Sequence, residues 1–143
     1  MGQEPRSFRW AKTPVTGLFV AFFALTASAG DLKPAAEPPE TVLCTYHVKA
    51  GRASAFTASM AKGWALYRHL DLVVPQPHII VRGTEPSGQV YFAEIFTWKS
   101  ADIPDNAPAE VQAFWGELNG SCEPRGGKPG IDIVVVQPVS SAN

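Results

Sequence analysis

One carboxylate in this sequence stands where a carboxylate is costly. Glu94 interrupts the run Q-V-Y-F-A-E-I-F-T-W, Gln89 to Trp98, with Phe92 and Phe96 two residues to either side and Trp98 beyond. In an extended chain these side chains share one face. A carboxylate between aromatic rings must be paired, protonated or placed at a site, because burial in an ionised and unpartnered form is too unfavourable to persist. The chemistry open to it is general acid or base catalysis, moving a proton to or from a phenol or enol stacked on Trp98. The structural alternative is a Glu paired with Arg68 or Arg82, or hydrogen-bonded to a histidine, with no chemistry at all. The residue types leave both open.

Other reactive residues are sparse. His47, His69 and His78 have no metal-ligand spacing, so no metal site is expected. There is no Gly-rich phosphate cradle, serine nucleophile motif or Cys-x-x-Cys pair, and no cofactor is expected. The two cysteines are Cys44 and Cys122.

The elements that must position Glu94 can be read from periodicity. Gln89 to Trp98 is rich in aromatic and β-branched residues and bounded by Pro86-Ser87-Gly88 and by Asp102 to Pro108, which marks a central strand. Thr41 to Lys49 is the first strand, with Val42, Cys44, Tyr46 and Val48 on one side and Leu43, Thr45 and His47 on the other. From Arg52 to about Leu70 the spacing of Ala53, Phe56, Met60, Trp64 and Tyr67 is helical. Pro75 and Pro77 force an extended segment into a second strand, His78 to Gly83. This strand forms a hairpin with the central one, Gly88 taking a positive φ. A loop centred on Pro86 sets His78 opposite Glu94, and a shift by one residue sets Ile79 there. A second amphipathic helix runs from Pro108 to about Asn119, with Val111, Phe114, Trp115 and Leu118 as its apolar face and Gly120 as its stop. Ile131 to Gln137 is the last strand.

Strand, helix, strand, strand, helix, strand, with right-handed crossovers, predicts a ferredoxin-like βαββαβ sandwich of the α+β class. It has a four-stranded antiparallel sheet with both helices on one face. The face without helices carries residues such as Tyr91, Ala93 and Ile95, too apolar to stay wet. A homodimer joined sheet to sheet is the expected remedy, closing an α/β barrel.

The remaining segments address the chain rather than build it. Residues 1–29 read as a signal peptide: Arg6, Arg9 and Lys12, then an apolar core from Val15 to Leu25, then Ala27-Ser28-Ala29 before Gly30. The core is shorter than the roughly 20 residues of a membrane span, so no stable membrane anchor is expected. The reading is export, to a periplasm or beyond. Residues 30–40 are a Pro-rich linker and 41–140 the folded domain. Residues 30–143 hold nine Lys and Arg against twelve Asp and Glu. Without a basic stripe interleaved with aromatics, nucleic acid is not an expected partner. In an exported chain two cysteines tend to pair, and a Cys44–Cys122 disulfide is expected, the second helix being read as antiparallel to the first strand so that the loop at Cys122 returns near Cys44.

The V-K-A-G turn at Val48 to Gly51, the F-A-E-I-F-T-W-K-S run at Phe92 to Ser100 and the V-Q-A-F-W…C-E pattern from Val111 to Glu123 resemble, in this order, the antibiotic-biosynthesis-monooxygenase-like members of the dimeric α/β barrel superfamily. The resemblance implies homodimers with a small pocket between each sheet and its helices. It puts Trp98 where oxygenases and haem-degrading members have a pocket Trp. The Asn that those enzymes commonly carry on the first strand is Cys44 here, and the helix after W-K-S holds Glu110 but no His, two departures that count against haem cleavage. With Trp98 selecting the face, the expected pocket is lined by Tyr46, Trp64, Phe92, Glu94, Phe96, Trp98 and Trp115, and would take a small apolar or aromatic molecule. Three functions follow: binding of such a metabolite without chemistry, a cofactor-independent oxygenase or isomerase acting on a phenolic substrate through Glu94, and a structural or assembly protein with no ligand.

Overall fold

The computed structural model describes residues 36–139. The signal-peptide reading and the first part of the linker lie outside them. Residues 36–39 are exposed and without regular structure, and then six elements follow: β1 (Glu40–His47), α1 (Ala53–His69), β2 (Ile79–Thr84), β3 (Val90–Trp98), α2 (Ala109–Ser121) and β4 (Ile131–Val135). The strands form one antiparallel sheet in the order β2-β3-β1-β4. This is the ferredoxin-like α+β sandwich that the periodicities predict, with β3 and β1 as its two central strands.

Alternation decides which side chains go inside. On β1, Val42, Cys44 and Tyr46 are buried, and their partners across the ladder are Phe96, Glu94 and Phe92 on β3, buried too. The helices cover this face. Phe56 of α1 meets both Tyr46 and Phe92, ring centroids 5.2 Å apart in each case, while Met60 and Tyr67 of α1 and Val111, Phe114 and Leu118 of α2 complete the core. The helices meet closely at Gly63, where an added Cβ would stand 2.2 Å from the Phe114 ring.

Two local structures bring β2 to its place. After α1, Asp71 adopts a positive φ of 57°, and Leu72 N–H donates to Tyr67 C=O while Asp71 N–H donates to Arg68 C=O. This Schellman arrangement satisfies the last carbonyls of the helix and turns the chain sharply. The Asp71 carboxylate pairs with Lys99, and Val73 bridges Trp98, so the chain leaves α1 anchored to the end of β3. The hairpin closes with Thr84 opposite Val90, Glu85 N–H donating to Gln89 C=O, and Gly88 at φ 85°. Its loop therefore centres on Ser87, and Ile80 stands opposite Glu94, two residues on from the register that set His78 there and one on from the register that set Ile79 there.

Three further expectations are corrected. The second helix passes through Gly120 and ends at Ser121. The last strand stops at Val135, although Val136 N–H still donates to Thr41 C=O. Cys44 and Cys122 are both free thiols. Since β3 runs antiparallel to β1 and α2 returns over it, α2 travels with β1, not against it. It delivers Cys122 opposite Val48, past the far end of β1. Four residues of strand put Cys44 about 13 Å from that point, beyond the 7 Å or so that a disulfide spans between Cα atoms.

Candidate functional site

Glu94 is the one buried charged residue of the described chain, 3% exposed. Both of its oxygens are engaged. The Tyr46 hydroxyl, two strand positions from Cys44, donates to Oε2 at 3.0 Å, and His78 Nδ1 lies 2.6 Å from Oε1. Hydrogen bonds to an ionised group are short and contribute roughly 1.5 to 3 kcal/mol each, and together they answer the desolvation that burial imposes. Neither Arg68 nor Arg82 is the partner: Arg68 donates to Pro75 C=O instead.

His78 reaches Glu94 from just before β2. It shares parity with Ile80, so its ring points to the helix face one step diagonally from Glu94, within reach of a long side chain. Trp64 of α1 lies flat on it, ring centroids 4.1 Å apart and planes inclined by 10°. The imidazole is therefore fixed in plane by stacking and in rotation by the carboxylate. Its side chain is 16% exposed, and the neighbouring Ile80 is more open still.

The other predicted residues form the wall behind this pair. Phe96 touches Trp64 edge-on at 6.0 Å and Trp98 at 4.7 Å, and Trp98 meets Trp115 at 6.3 Å. Phe92 lies farther along, against Phe56. Tyr46, Trp64, Phe96, Trp98 and Trp115 are thus linked ring to ring or through Glu94. Tyr67, which the sequence reading set at the edge of the pocket, ties them together: it packs on Phe96, Trp98 and Phe114 and accepts a 2.7 Å hydrogen bond from the Trp115 indole. His78 joins the lining: one of the two registers read from the sequence set it opposite Glu94, a Glu94–histidine hydrogen bond was among the alternatives, and the structure makes that bond from a diagonal position.

Burial sets the protonation states around the carboxylate. The Cys44 thiol, opposite Glu94, is pushed up to about 12, by loss of water first and by the Glu94 charge second. It is an inert thiol and not a nucleophile. Burial likewise holds the Tyr46 hydroxyl well above its ordinary range, with Cys44 and Glu94 adding to the effect, so Tyr46 stays a neutral donor. Burial raises Tyr67 as well.

A separate open groove of about 560 Å³ lies at the other end of the sheet, between the turn after β1 and the hairpin, lined by Lys49, Gly51, Ser87, Gln89 and Glu123 among others. It contains none of the residues above. His47 is on the helix-free face, Nδ1 3.1 Å from Glu85 and Nε2 3.2 Å from Asp132, with Arg125 bridging Glu85 and Gln89. Among the described residues no helix is long and apolar enough to cross a membrane.

No family model matches the sequence, and neither does any curated protein. Solved structures do match in fold. SnoaB, a cofactor-independent oxygenase from Streptomyces nogalater, is 15% identical with a TM-score of 0.53, over 72% of this chain and 95% of that one. An antibiotic biosynthesis monooxygenase is 13% identical with a TM-score of 0.51, over 70% and 98%. A dimeric ferredoxin-like protein of unknown function from Jannaschia is 18% identical with a TM-score of 0.50, over 70% and 99%. At such identities the shared property is the fold, and it is the fold that the sequence resemblance implied.

Proposed function

We propose that this chain is an exported small-molecule-binding protein built on the fold of the antibiotic biosynthesis monooxygenases, and that it takes a planar aromatic or apolar molecule on the helix side of its sheet. One observation carries the reading: a buried carboxylate, Glu94, held by Tyr46 and His78 within a wall of aromatic rings. A core that needed only stability would be served as well or better by an apolar residue at this position. The aromatic wall gives stacking area, about 0.5 to 1.5 kcal/mol per ring pair beyond burial, and the polar pair gives orientation. The partly exposed edge at His78 and Ile80 is the side from which a ligand would enter.

The protein acts as a homodimer in this reading. Ile79, Val81, Ile95 and Val134 are 39–61% exposed and all point to the face that the helices leave open. A second copy laid sheet to sheet would cover them, with the His47, Glu85, Asp132 and Arg125 cluster at the margin. That the Jannaschia protein of the same fold is dimeric supports a dimer here.

The test of binding is a fluorescence titration with 2-naphthol, read on the tryptophans and repeated on Trp98→Ala and Glu94→Gln. Quenching of the wild type that weakens in either variant is the expected result. No quenching, or equal binding by both variants, returns the cluster to a purely structural role. A catalytic version of the site, an isomerase, is favoured by the 2.6 Å contact between His78 and Glu94.

A further inference from the structure

Glu94 itself is poorly placed to meet a ligand. It is 3% exposed, and each oxygen already accepts a hydrogen bond, from Tyr46 and from His78. The imidazole is better placed. A carboxylate only accepts, so Nδ1 of His78 carries the proton that points at Oε1, and in the neutral ring Nε2 then holds the lone pair. Among the described residues Nε2 has no hydrogen-bond partner. No buried side-chain polar atom of those residues lacks one either, so Nε2 must be open to solvent. The Trp64 stack fixes the plane of the ring, and the side chain as a whole is 16% exposed.

Resting on the binding reading above, we propose that His78 Nε2 is the proton-transferring atom of the site. Glu94 and Tyr46 are its positioning residues, and the substrates are planar carbon or oxygen acids, such as an enolisable aryl ketone. The step needs no oxidant or reductant. The C–H bond next to the carbonyl breaks, its electron pair becomes the enolate, and the proton goes to Nε2, making an imidazolium that Glu94 balances. Return of that proton to oxygen or to another carbon of the enolate completes a tautomerisation and restores the neutral ring. A base held within reach of its proton contributes on the order of 100- to 10,000-fold in rate.

The experiment follows exchange of the C1 protons of 2-tetralone for deuterium in heavy water by proton NMR, beside 2-naphthol binding to the same proteins. Asparagine at position 78 can keep a nitrogen donor to Glu94 while lacking Nε2. His78→Asn should lose exchange by at least about 100-fold, far more than it loses 2-naphthol affinity. His78→Ala should regain exchange when imidazole is added. Glu94→Gln should lower kcat with little change in KM, because the imidazolium formed in the step loses its counter-charge. A wild type that binds naphthol but exchanges tetralone no faster than free imidazole overturns the inference and leaves the binding reading standing, and so does a His78→Asn protein that exchanges at the wild-type rate. Failure of the wild type to bind naphthol removes both.

Discussion

The proposed site rests on one hydrogen-bonded trio, Tyr46, Glu94 and His78. Tyr46→Phe keeps the ring and its packing on Phe56 but strips Glu94 Oε2 of its donor. Leaving a buried acceptor unsatisfied costs about 1 to 3 kcal/mol, so the urea midpoint should fall with the slope unchanged, and an unchanged midpoint would show that Oε2 finds water instead. Cys44 offers a second test at the same scale. Its thiol stays protonated in the folded state up to about 12, against an ordinary value of 9.0. The folded state therefore binds a proton that the unfolded chain releases. The stability this contributes is complete below pH 9 and falls between pH 9 and about 12, by roughly 1.4 kcal/mol per pH unit. Cys122, Tyr46 and Tyr67 are raised in the same direction, so urea titrations across that range should give a steeper slope than one group supplies, and Cys44→Ala should remove only its own share, roughly 1.4 kcal/mol per pH unit. Both thiols should resist a disulfide reagent at neutral pH in the native protein and react in full when it is unfolded. Reaction of neither after unfolding would restore the disulfide.

The elements are fitted to one another at glycines that the hydrophobic pattern does not explain. Gly63 lies in the middle of α1, where a glycine costs up to about 1 kcal/mol of helix propensity relative to alanine, yet Phe114 of α2 fills the space that a side chain would take. Gly63→Ala should thus destabilise the protein by about 1 to 3 kcal/mol through overpacking, despite the better helix former. Phe114→Leu in the same chain should recover part of that loss, read by thermal or urea unfolding of the double variant. If Gly63→Ala is stabilising alone, the two helices are not held at this contact. The Schellman turn at Asp71 and the bridge from Val73 to Trp98 work at the same scale. By tying the start of the 72–78 segment to the end of β3, they leave His78 beside Glu94.

For the whole molecule the unresolved demand is the open face of the sheet. Ile95 is at its centre, on β3, and is 39% exposed. Ile95→Asp would set two like charges in a sheet-to-sheet interface and should give a folded monomer, by light scattering and circular dichroism together, where the wild type gives a dimer. A wild type that is monomeric at micromolar concentration would remove the dimer from the proposal.

Much of this architecture was legible along the chain. The helical spacing from Phe56 to Tyr67 and the alternation of Val42, Cys44 and Tyr46 against Phe92, Glu94 and Phe96 are local periodicities, and local periodicity determines which face of an element is apolar. The sequence by itself therefore determined the six elements and their order. With one feature of the resemblance, it also put Glu94 among the rings on the helix side. Only the tertiary structure decided the rest. The hairpin loop centres on Ser87, because a turn of this length can close in more than one register with the same burial pattern. A shift of two residues preserves parity, which is why His78 faces inward with Ile80, not itself, opposite Glu94. The direction of α2 relative to β1 is the exception: it follows from the antiparallel βαββαβ order already predicted, in which α2 travels with β1, and it separates Cys44 from Cys122. Register and handedness depend on segments far apart in the chain meeting in space, and no local pattern encodes where they meet.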